Sequence, residues 1–222
     1  LLAPLGIAPG KPFNPDARQT KILTEAAKVG ELMARTIAYD KRYQGATVYP
    51  GKQWEYAVLF DLDQENPDKT RVQFDERASW FYEAIGMSTG MQGRIVGFGQ
   101  VYLETSKDKD GNWLDGGKTY KLHVEPNAPV KQFWSITLYD NVTRGPLMTD
   151  QGAADLSSRK PDLVTNADGS VDVYFGPERP ASAANWIKTD PGKGWFPYFR
   201  FYAATEPYFD KSWQLNDIER VK

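Results

Sequence analysis

The stretch Phe133–Asp140, Phe-Trp-Ser-Ile-Thr-Leu-Tyr-Asp, constrains this chain more than any other. In an extended backbone Phe133, Ser135, Thr137 and Tyr139 share one face, while Trp134, Ile136 and Leu138 share the other. The second face is wholly apolar and has to be covered. The first is semi-polar and ends beside Tyr139 and Asp140. The pattern predicts a central strand, with any site built near where it ends.

Further extended runs follow the same texture. Candidates are Val96–Glu104, Lys118–Val124, Val171–Phe175, Trp195–Tyr202 and a short closing segment, Ile218–Val221. Asp110-Gly111 and Asp168-Gly169 are turn signals between them. Aromatic residues make up 14% of the 222 residues, a composition that suits cross-strand packing. Short strands separated by Pro- and Gly-rich turns predict a mainly β, antiparallel, jelly-roll-like β-sandwich over 95–222. Before it, 1–94 reads as an arm, two helices and a strand. Asn14-Pro15-Asp16 opens the first helix, with Asn14 as its cap and Ile22, Ala26, Val29, Met33 and Ile37 as its apolar stripe. Trp54–Leu62 alternates as a strand. Asp75 caps the second helix, which carries Ala78, Phe81, Tyr82 and Ile85 on one side.

Composition removes several functions. The net charge is −2 and no basic run exceeds two residues, so neither nucleic acid nor an anionic membrane is expected as the main partner. No apolar run approaches the ~18 residues of a membrane span. There is no cysteine, which excludes disulfides, thiolate metal sites and cysteine nucleophiles. One histidine, His123, rules out three-histidine zinc and facial-triad iron sites within one chain. No metal and no cofactor is called for. The chain begins without Met and shows no signal peptide, and reads as processed or cut from something longer.

Candidate chemistry is sparse. Gly86-Met87-Ser88-Thr89-Gly90 has the spacing of a nucleophile elbow, but a helix runs into it where a strand should, so a helix terminus is the better reading. His123 could serve a proton relay, yet it lies inside a strand, where a surface or cross-strand role is favoured. Asp108, Asp110, Asn112 and Asp115 resemble a calcium loop without its twelfth-position Glu, and read as a solvated hairpin. Asp61 and Asp63 share a strand face and could form a carboxylate pair, but at the edge of a polar loop a solvated strand end is the better reading. The most suggestive set is Tyr139, Asp140 and Arg144 after the central strand, Asn185 and Trp186 in a long loop, and Arg200 and Tyr202 in an aromatic strand. These can converge on a carboxylate- or sugar-binding pocket, or form a structural ion-pair network, with Arg200 facing Asp140 or another carboxylate.

Ordered motifs add a resemblance. Asp115-Gly116-Gly117, Tyr120-Lys121-Leu122, Phe133–Asp140, Asp168-Gly169-Ser170, Tyr174-Phe175-Gly176-Pro177, Asn185-Trp186, Pro191–Phe196 and Arg200-Phe201-Tyr202 together resemble the domain of unknown function DUF 1214. Phe74–Met91 resembles the stretch normally found before it, and the preceding DUF 1254 domain is not recognisable. The resemblance implies a jelly-roll-like sandwich, homo-oligomers with a trimer favoured, and bacterial, periplasmic or exported proteins. It supplies no activity and no catalytic residues. Three readings follow: an oligomeric envelope or binding protein, a hydrolase using carboxylates and His123, or a carbohydrate-binding module. A small molecule or a glycan is the expected ligand. The first helix, whose stripe needs a cover, is placed near an interface between copies.

Overall fold

The computed structural model describes residues 2–58, 65–66, 68–84 and 94–221. A short 3-10 turn, Ala3–Leu5, precedes helix α1, Ala17–Tyr39. The helix cap is Asp16, not Asn14: its carboxylate accepts the Gln19 amide at 2.7 Å, and the Gln19 side chain accepts the Asp16 amide at 3.2 Å. A reciprocal pair satisfies two orphan amides where a lone Asn satisfies one. Strand β1, Glu55–Tyr56, and helix α2, Phe74–Glu83, follow. Asp75 lies in the first turn of α2, next to the dipole's positive end, and not at its cap.

The remaining strands are β2 Gln100–Glu104, β3 Tyr120–Val124, β4 Val130–Asp140, β5 Asp155–Ser157, β6 Val171–Gly176, β7 Asn185–Lys188, β8 Trp195–Ala204 and β9 Glu219–Arg220, with a short helix α3, Glu206–Phe209, after β8. They form two sheets, ordered β1-β2-β8-β4-β5 and β7-β6-β3-β9. Their inner faces share one core. Leu103, Ile136, Leu138, Phe199 and Phe201 come from the first sheet, and Leu122, Val173, Phe175 and Ile187 from the second. Trp134, Ile136 and Leu138 point inward as their alternation requires. Trp134 stacks on Phe199 at 5.3 Å. The chain is thus mostly β in two sheets, with helix α1 before them.

One pairing departs from the expected antiparallel plan. β7 runs parallel to β6, with Tyr174 opposite Trp186. Asn185 and Trp186, expected in a loop, are therefore strand residues. The Arg179 side chain donates to the carbonyls of Ala183 and Ala184, both at 2.9 Å, and so fixes the end of the connection that returns the chain. The Gly86–Gly90 motif, Asp61 and Asp63 lie outside the described residues.

Helix α1 buries only its end, at Ala38 and Tyr39. Val29, Leu32 and Met33 stay 56–64% exposed. Their stripe is not packed on the chain's own sheet.

Candidate functional site

β8 is central in its sheet, and its register decides what meets on the outer face. Arg200 lies opposite Ser135 on β4 and opposite Tyr102 on β2. By alternation it shares a face with Thr137, Tyr139, Tyr198 and Tyr202. Its guanidinium donates to the Thr137 hydroxyl at 3.0 Å and to the Tyr139 hydroxyl at 2.7 Å. The guanidinium carbon sits 5.2–5.7 Å from the ring centres of Tyr198, Tyr102 and Tyr139. Three π faces around one cation stabilise it without a counter-ion. Burial raises the Tyr102 phenol above its ordinary value, and the charge on Arg200 opposes this.

The expected partner, Asp140, is on the other face of β4. One of its oxygens accepts the amides of Val142, at 2.7 Å, and Thr143, at 2.9 Å, closing the turn after the strand. Among the described residues Arg200 has no carboxylate within ion-pair distance. Parity forbids the Arg200–Asp140 contact: a residue in register with Ser135 cannot reach the side chain of Asp140 through the sheet.

The other candidates disperse. Arg144, held at φ 62°, lays its guanidinium 4.5 Å from the Tyr82 ring centre and joins the turn after β4 to α2. Tyr202 stacks on Phe133 at 4.0 Å, on the same face as Arg200. Asn185 spends its amide on Val164 and on the Asp172 carbonyl, and Trp186 donates to the Gly176 carbonyl. Both belong to the second sheet. His123 is there too, its Nδ1 at 2.7 Å from Asp172, its register partner, and its Nε2 at 3.8 Å from Glu125. The histidine thus has a carboxylate within reach, but among the described residues no hydroxyl nucleophile bonds it. The acidic loop closes on itself, with Asp108 accepting the amides of Asp110 and Asn112. Among the described residues no group of three or more His, Asp or Glu could hold a metal ion, and no helix is long and apolar enough to cross a membrane.

Next to the arginine, the same sheet face carries a buried ionic cluster that the sequence reading did not single out. Lys41, fully buried after the end of α1, pairs with Glu83 at 3.1 Å, with Glu104, and with Glu55 at 4.0 Å. Tyr198 donates to Glu83. Burial raises the carboxyls of Glu83 and Glu55, and Lys41 opposes the shift in both. The same burial, with Glu83 beside it, pushes the Tyr198 phenol up. A Lys just after a helix reads as a terminal charge meeting the dipole, so nothing in its local sequence marked it as buried. The clearer signal was Glu104, an acid on an alternating strand.

The comparisons bear on this geometry. Residues 99–206 match the family model of DUF1214, a protein of unknown function. The VPA0106 protein of Vibrio parahaemolyticus has a similar solved structure, with a TM-score of 0.52 and 22% identity, covering 99% of this chain and 49% of that one. The chain therefore spans about half the length of that relative, and the likeness shows a shared fold. An uncharacterised protein from Burkholderia cenocepacia aligns with a TM-score of 0.42 and 18% identity, over 67% of this chain and 40% of that one. No curated protein matches. The Arg200 face, the central strand β4 and the His123 strand all fall within the stretch that carries the DUF1214 pattern.

Proposed function

We propose that the chain is a non-enzymatic binding protein that holds a small oxyanion, a carboxylate in the first instance, on the outer face of its five-stranded sheet. One observation carries this: hydrogen-bond donors converge at Arg200 with no carboxylate or carbonyl acceptor among the described residues. The guanidinium donates to Thr137 and Tyr139 and also interacts with the Tyr102 hydroxyl, which leaves part of its five N–H groups unspent. Because those hydroxyl oxygens accept, their own O–H groups remain to donate. No carboxylate or carbonyl among the described residues receives them or the remaining guanidinium N–H groups. A half-buried array of donors, one of them charged, is complementary to an oxyanion.

The test is titration calorimetry with sodium acetate and sodium sulfate at constant ionic strength. Saturable binding is expected in the native protein and is lost in Arg200→Gln. A second variant, Thr137→Val with Tyr139→Phe, keeps the cation and removes the hydroxyl donors, and should bind several-fold more weakly. Absence of saturable binding in the native protein overturns the reading, as does undiminished binding in a folded Arg200→Gln.

Assembly enters the same proposal. The exposed stripe of α1 supports a homo-oligomer, and the resemblance favours a trimer, a jelly-roll arrangement, an upstream DUF 1254 domain and export to the periplasm.

A further inference from the structure

We infer that the anion at Arg200 is a polyhydroxylated carboxylate, a sugar acid, whose ring lies on Tyr202; this rests on the oxyanion reading above. Tyr202 is two residues beyond Arg200 on β8 and shares its face. Phe133 covers one side of its ring, at 4.0 Å and an interplanar angle of 14°, and the Arg159 guanidinium lies 4.3 Å from the centre of the Phe133 ring. β8 lies between β4 and β2, so the opposite side of the ring is turned towards β2, where it meets no other aromatic ring among the described residues.

Gln100 is the register partner of Tyr202 on β2, half-buried on the same face. Its amide offers both a donor and an acceptor, and it makes no side-chain hydrogen bond among the described residues. A guanidinium and hydroxyl donors alone suit any oxyanion. A flat ring face two residues further along β8, with an unspent amide opposite it on β2, adds two requirements: a ligand body with an apolar C–H face, and hydroxyls that both donate and accept. An acyclic carboxylate lacks the first, a benzoate lacks the second, and a neutral sugar lacks the charge. A pyranose acid meets all three.

The probes are sodium glucuronate, glucose, acetate and benzoate, titrated at constant ionic strength against the native protein, Tyr202→Leu and Gln100→Ala. Glucuronate is expected to bind about tenfold or more tighter than acetate, benzoate or glucose. Both variants should bring glucuronate down to the acetate level while acetate binding is unchanged. Glucuronate no tighter than acetate overturns the sugar-acid assignment and leaves the oxyanion site standing, as does benzoate binding more tightly than glucuronate. Unchanged glucuronate affinity in both folded variants overturns the placement on Tyr202. No binding by any of the three anions overturns both readings.

Discussion

Glu55 and Glu104 face each other directly across the β1–β2 pair, and the buried Lys41 ammonium is paired with both. Like charges opposite one another in an antiparallel pair are destabilising on their own. The lysine makes the arrangement tolerable, and also takes Glu83 from α2. It is therefore the joint between the helical segment and the sheet. Lys41→Met leaves Glu83 and Glu104 buried without their cation, and should cost about 3–5 kcal/mol. Urea denaturation of the variant beside the native protein measures it.

The same cluster sets a pH dependence. Glu83 and Glu55 have carboxyls raised by burial above the ordinary value of 4.5. The native state thus binds protons that the unfolded chain releases. Their contribution is full below the unfolded value and is lost as pH rises through the raised native values. The urea midpoint should therefore fall on going upward from pH 4.5, and Glu83→Gln should flatten that slope. A Glu83→Gln protein with an unchanged slope would assign the pH dependence to other groups.

Gly116 is packed where no side chain fits. A Cβ there would clash with the Asp190 carbonyl oxygen, part of the backbone of the loop before β8. The Gly116 carbonyl also accepts from the buried Thr189 hydroxyl at 2.7 Å. Gly116→Ala must displace that loop and should cost about 1–3 kcal/mol, read as a lowered melting temperature. Gly152→Ala meets nothing within 4 Å, although its φ of +74° favours glycine, and serves as the comparison without a clash.

His123 and Asp172 are register partners on a half-exposed sheet face. A cross-strand pair there is worth less than about 1 kcal/mol. His123→Gln should therefore change stability by no more than that and leave acetate binding at Arg200 untouched. If hydrolysis of p-nitrophenyl acetate by the native protein exceeds background and disappears in His123→Gln, the hydrolase reading is restored.

Much of this architecture could be read in the sequence wherever alternation was strong. Phe133–Asp140 and Trp195–Tyr202 announced β4 and β8, and their inward residues form the core. β5 and β7 were missed because three- and four-residue strands carry too little period to see. The members of the site were partly visible, since an arginine inside an aromatic strand is conspicuous. Its partners were not. Choosing Thr137 over Asp140 requires the β4–β8 register, which pairs Arg200 with Ser135 and is set by long-range packing. Lys41 was invisible for a related reason: its burial comes from Glu83, forty-two residues on, and from Glu104.

Helix α1 joins the rest of the described chain through a buried footing confined to its end, at Ala38 and Tyr39. Opening its earlier turns therefore breaks few buried contacts, whereas opening β4 or β8 breaks the core. The chain should consequently exchange amide hydrogens in two regimes, fast along the early turns of α1 and only by global unfolding in the central strands. Whatever covers the stripe of Val29, Leu32 and Met33 would reveal itself as slowed exchange in α1 alone, with the rates in the sheets unmoved.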